Sequence, residues 1–205
     1  INSEKSTGLW LSEFAEPYME FSKQGFEITV ASPLGGKTPI DKNSLNADLH
    51  QDILNTEQFL KDTIKLDEVK AADYDVIFLP GGHGTMFDLP DNEKLQSLLR
   101  EFYEAGKIVA AVCHGPAGLV NAKLSNGKHL VEGKRITAFT DTEEKAAGLD
   151  QVMPFLLESK LRQAGPTFVA APDWSVHCEV DGNLITGQNP QSTLRVATEV
   201  IAKLK

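Results

Sequence analysis

The chain is poor in sulfur and in positive charge. Its 205 residues hold two cysteines, three methionines and two tryptophans, and 20 Lys and Arg stand against 29 Asp and Glu, a formal net charge of −9. Two cysteines cannot build a disulfide framework, so a reducing cytoplasm is the expected compartment. An acidic chain with no basic stripe is a poor nucleic-acid binder, and no nucleic-acid partner is expected. No apolar run approaches the roughly 18 residues that a spanning helix needs, and no signal-peptide pattern opens the chain, so no membrane partner is expected either. Repeats, low-complexity tracts and linkers are absent too. With 41% apolar residues, one domain over residues 1–205 is expected.

What the chain does have is alternation of strand-like and helix-like segments. Ile108-Val109-Ala110-Ala111-Val112 is apolar without a break, the pattern of a strand buried on both faces of a parallel sheet. Asp75–Leu79 reads the same way. Phe26–Ala31, Arg135–Phe139 and Thr167–Ala171 are further expected strands. Val176, Cys178 and Val180 alternate ahead of Asp181-Gly182, a hairpin-turn signal, with Leu184–Thr186 following. Helices are expected over Gly8–Lys23, capped by Ser6 or Thr7 and closed by Gly25, and over Thr56–Val69. Three more are expected: one with Leu95, Leu98, Leu99 and Phe102 as its core face, one over Pro154–Gln163 and one over Pro190–Leu204. The first helix carries an apolar stripe of Trp10, Phe14, Pro17/Tyr18 and Phe21. This order implies an α/β fold, one mostly parallel sheet covered on both faces.

Cys113 ends the most apolar strand and is followed at once by His114, Gly115 and Pro116. A sharp strand-to-helix turn lifts a reactive side chain above the carboxyl edge of a sheet. A free thiol, with a pKa of about 8.5, is mostly protonated at neutral pH and needs polar help to act as a nucleophile. Adjacent residues rarely point the same way, so His114 is not expected to touch the sulfur. It is instead a candidate proton carrier or a backbone donor to an oxyanion. Pro80-Gly81-Gly82-His83-Gly84 ends the other buried strand, where glycines let backbone N–H groups approach a ligand as an oxyanion hole does. His83 fits a pocket wall and a surface position equally well. Glu13 lies one turn before Pro17, whose missing N–H should kink the helix there. Read from pattern alone, Glu13, Glu16 and Glu20 form a solvated face. His177-Cys178-Glu179 has the His-x-Glu look of an amidotransferase, yet alternation puts His177 and Glu179 together on a solvated face, a structural reading. The five histidines show no metal-ligand spacing, so no metal is expected.

Several stretches together resemble the ThiJ/PfpI superfamily, which is class I glutamine-amidotransferase-like. The branch is that of heat-shock-type chaperones and glutathione-independent glyoxalases of the glyoxalase III type. They are Thr7-Gly8-Leu9-Trp10 with Glu13 and Pro17, Gly81–Thr85, Ala110–Pro116, Phe139-Thr140-Asp141 with Glu143-Glu144, and Thr186–Pro190. The resemblance implies a flavodoxin-like three-layer sandwich with catalytic Cys113, His114, Glu13 and Glu144. Asp141 and Glu143 are rivals for the histidine-orienting acid. Gly81, Gly82, His83 and Asn189 would line the oxyanion and substrate site. It further implies conversion of methylglyoxal to lactate without glutathione, metal or other cofactor, and a homodimer. A holding chaperone, a protein deglycase and, behind these, a cysteine peptidase or amidotransferase are the alternatives. Chains of this family begin with a central strand ahead of the first helix, so a strand upstream of residue 1 is expected to complete the sheet.

Overall fold

The apolar run that dominates the sequence becomes the centre of the sheet. In the computed structural model, which describes residues 6–46 and 48–205, the elements run in the following order. They are α1 (Leu11–Lys23), β1 (Ala31–Ser32), α2 (Gln51–Asn55), β2 (Ile64–Lys65), β3 (Val76–Leu79), α3 (Thr85–Asp88), α4 (Glu93–Glu104) and β4 (Ile108–Val112). Then come β5 (Arg135–Ile136), α5 (Asp141–Ala146), α6 (Leu157–Gln163), β6 (Thr167–Phe168), β7 (Cys178–Asp181), β8 (Leu184–Gly187) and α7 (Thr193–Leu204). Short 3-10 turns join several of them.

The main sheet has the order β3-β4-β8-β7. Strands β3, β4 and β8 are parallel and β7 returns antiparallel, with Gly182 at φ +60 in the connecting turn. Every residue of β4 is buried. Leu95, Leu98, Leu99 and Phe102 of α4 pack against it from one side, all within 1% of full burial. Helix α7 covers β4 and β8 from the other side, with α1 packed against α7. Apolar faces at helical spacing thus bury against both sides of the sheet, the α/β arrangement expected.

Several expectations are corrected. Helix α1 starts at Leu11 behind Trp10, without a side-chain cap. Leu9 donates to Pro39 and accepts from Asp41, which holds the preceding residues extended, and Thr7 Oγ1 donates to Asp41 instead (2.7 Å). The expected helix over Thr56–Val69 is replaced by a 3-10 turn, the short strand β2 and a second 3-10 turn. Thr63 and Ile64 are drawn off to bond with Gly36 and Val30. Of Phe26–Ala31, only Ala31 belongs to a ladder, in parallel pairing with β2.

The reason is a slot. Among the described residues, the edge of β3 away from β4 has no strand beside it, and Val76, Ile77 and Phe78 stay only half-buried. Facing that edge is the extended segment ahead of β1. Between them is a cavity of about 600 Å³ lined by Phe14, Phe21, Phe26, Ile28, Phe78 and Val200, among others. Phe14, Pro17, Tyr18 and Phe21 of the apolar stripe therefore face this opening.

Candidate active site

Cys113 follows β4 directly and takes φ +60, a left-handed conformation uncommon outside glycine. Its backbone is clamped from both sides. The N–H donates to Gly187 and the carbonyl accepts from Phe139, each at 2.9 Å. The turned backbone brings neighbours together that would otherwise diverge: Cys113 Sγ lies 3.3 Å from His114 Nδ1. This corrects the expectation that His114 does not touch the sulfur.

His114 is 1% exposed. Its Nε2 lies 2.7 Å from Glu144 Oε2, and since a carboxylate only accepts, that nitrogen carries the ring proton. The Nδ1 lone pair is then free to face the thiol. Burial holds the imidazole down to about 4, a pull that Glu144 opposes and His83 reinforces. Burial pushes Glu144 up, but hydrogen bonds from His114 and His83 outweigh it and set the carboxyl near 2.

Glu13 enters from α1 and is fully buried, so the solvated-face reading is wrong for it. Its Oε2 accepts the Gly81 N–H at 2.7 Å. Its Oε1 has no hydrogen-bond partner, and the Cys113 thiol lies beside the carboxyl. Burial raises Glu13 to about 8, against the lowering effect of Cys113 and the Gly81 N–H. Burial and the nearby Glu13 carboxyl push the Cys113 thiol up as well. Near neutral pH both the carboxyl and the thiol therefore keep their protons, and the two titrate as a coupled pair.

The glycine turn is required on steric grounds. A Cβ on Gly81 would stand 2.7 Å from both Glu13 Oε2 and the His114 nitrogen. Gly82 has φ +107, and a Cβ there would meet the Gly8 carbonyl at 2.3 Å.

The three neighbouring acids divide the work. Asp141 bonds to Ser159 at the start of α6. Glu143 accepts from Thr140, Trp174, Gln188 and Asn189. Glu144 alone of the three meets His114. Its other oxygen lies 2.7 Å from His83 Nε2, so His83 is buried in the site, with its ring 4.1 Å from that of His114. Nothing in the local sequence signals this sharing, because His83, His114 and Glu144 come from three separate loops and helices. Their ligand atoms lie within 4.8 Å of one another, a convergence that spacing along the chain conceals. Asn189 is fully buried, its amide donating to Glu143 and the Ser175 carbonyl and its oxygen accepting from Ser192. Its polar atoms are committed to bracing the loop beside the site.

Glu179 is 9% exposed beneath Arg135, which corrects the solvated face expected of His177 and Glu179. Among the described residues, no helix is long and apolar enough to cross a membrane.

The profile of the DJ-1/PfpI family matches residues 7–203. The glutathione-independent glyoxalase HSP31 of Saccharomyces cerevisiae is 36% identical, with 97% of this chain and 90% of the relative covered. The glyoxalase 3 of Candida albicans is 34% identical over the same shares. The crystal structure of glyoxalase III from that yeast superposes with a TM-score of 0.91 at 33% identity, covering 98% of this chain and 91% of that one.

Proposed function

The chain belongs to the DJ-1/PfpI family, and on that premise we propose that it is an enzyme of small dicarbonyls, a glutathione-independent glyoxalase of the lyase class converting methylglyoxal to lactate. The observation that carries this reading is the convergence of the Cys113 sulfur, the His114 Nδ1 lone pair and the raised Glu13 carboxyl on one buried point.

The chemistry follows from those groups. The sulfur attacks the aldehyde carbon, a C–S bond forms, and the carbonyl electron pair moves to oxygen. The thiol proton passes to His114 Nδ1 and the Glu13 proton to that oxygen, giving a hemithioacetal and leaving Glu13 ionised. The amides of Gly82 and His114 would steady the developing negative charge. Glu13, ionised, then takes the proton from the former aldehyde carbon. A carboxyl with a pKa near working pH serves as both acceptor and donor. The electrons form an enediol, and the neighbouring carbon takes up the proton. The first carbon is thereby oxidised to a thioester and the second reduced to an alcohol, with no external redox partner. Water breaks the C–S bond, releasing lactate and the thiol. Glu144 holds His114 in the tautomer that accepts from sulfur. The reading includes a homodimer and one further parallel strand in the slot beside β3.

Incubation with methylglyoxal in the absence of glutathione should yield lactate, and Cys113→Ala should abolish it. An inactive wild-type protein, or a Cys113→Ala protein of unchanged rate, defeats the proposal. The large exposed side chains Leu34 (86%) and Val176 (62%) favour a second, holding-chaperone reading. Aggregation suppression that survives Cys113→Ser would separate it from catalysis.

A further inference from the structure

Two non-glycine residues among those described have positive φ: Cys113 at +60 and Trp174 at +63. The first is explained by the chemistry above. The second sits in the loop after β6. A bulky residue in this conformation is a genuine outlier, and such strain persists only where surrounding structure enforces it. The enforcing group is Glu143. It is fully buried and accepts the Trp174 N–H at 2.8 Å on the oxygen that also takes the Asn189 amide at 2.9 Å. On the other side of the turn, Thr142 Oγ1 donates to Asp173 at 2.6 Å.

The strain is not repaid by burial, because the Trp174 side chain stays 42% exposed. The indole instead stands edge-on to Phe139, with centroids 5.6 Å apart at 65°. Phe139 packs on His114 with centroids 4.3 Å apart and presents an edge to His83 at 6.0 Å. A strained, half-exposed indole is thus fixed one ring away from the catalytic imidazole. The carboxylate that fixes it neighbours Glu144 in sequence.

We propose that Trp174 is a specificity-determining residue, the wall that narrows the approach to Cys113 so that small aldehydes enter and bulky ones do not. This rests on the dicarbonyl reading for its substrate class, but the steric claim stands apart from turnover. An apolar wall discriminates by size at about the ten-fold level or somewhat more. Glycine adopts φ +63 freely, so Trp174→Gly removes the indole and the strain together and should fold.

The test compares alkylation of Cys113 by N-methylmaleimide and N-phenylmaleimide in a Cys178→Ala background, followed by mass spectrometry. The two reagents share a reactive group and differ in bulk. Trp174→Gly should raise the phenyl-to-methyl rate ratio at least about fivefold. A ratio unchanged within about twofold overturns the proposal, as does resistance of Cys113 to both reagents after the indole is removed. In turnover, kcat/KM for phenylglyoxal relative to methylglyoxal should rise in the same proportion. If the wild type converts neither dicarbonyl, the glyoxalase reading fails while the maleimide ratio still decides the role of Trp174.

Discussion

Cys113, His114 and Glu144 come together from the end of β4 and from α5, whereas His177, Cys178 and Glu179 lie side by side along β7. Both sets contain a thiol, an imidazole and a carboxylate. In the first, the sulfur is 3.3 Å from one ring nitrogen and the carboxylate 2.7 Å from the other. In the second, the His177 ring is 3.2 Å from Glu179, but Cys178 points to the opposite side of the strand, as strand alternation requires. Glu179 is taken by Arg135, and burial pushes the Cys178 thiol up to about 12. The first set also has a second carboxyl, Glu13, next to the sulfur. Residue types and nearness in sequence do not make a site. The candidate site differs in its left-handed turn at the strand end and in drawing on several elements.

The two sets should part most clearly at the sulfur. Cys113→Ala should lower methylglyoxal turnover by at least about 10³-fold, and Cys178→Ala should leave it within about twofold. Equal losses would erase the distinction. Glu13→Gln should cost about 10²–10⁴-fold in kcat, the usual share of a general base. It should also change stability. Between pH 4.5, the ordinary value, and about 8, the folded protein keeps a proton on Glu13 that the unfolded chain has released. Wild-type stability therefore falls as pH rises through this window. Glu13→Gln should lose that slope in urea melts at pH 5 and pH 8.

Glu144→Gln should reduce kcat by about 10²-fold through loss of the correct His114 tautomer. Its sign is opposite: a carboxyl held near 2 stabilises the fold above pH 4.5, and that contribution disappears as pH falls from 4.5 towards 2. Glu144→Gln should flatten the acid limb of a melting-temperature profile. His83→Leu should cost about tenfold in kcat, and His83→Gln, whose amide still donates to Glu144, should recover most of it. The smallest effect is expected in the second set, where His177→Ala should stay within about twofold in turnover, and a large loss would revive an amidotransferase-like role for β7.

The features legible in the sequence share a cause. The β4 run, the α4 face and the Cys113 turn are each specified within a dozen residues, so periodicity and turn chemistry report them. Glu13 in isolation reads as a solvated helix face, because its burial depends on Gly81, 68 residues away. His83 and Glu144 are 61 residues apart, and their pairing leaves no trace in spacing. Trp174 looks like an ordinary loop aromatic until its φ and its bond to Glu143 are seen. The segment Phe26–Val30 reads as a strand by composition and is extended in fact, but a ladder needs a neighbour, and the slot lies where that neighbour would run.

The most direct test of the difference between the two sets is covalent. Protein quenched during turnover of methylglyoxal should carry one substrate-derived adduct, and peptide mass spectrometry should locate it on Cys113 and leave Cys178 unmodified. An adduct on Cys178, or lactate formation with Cys113 never modified, would show that Cys113 is not the nucleophile.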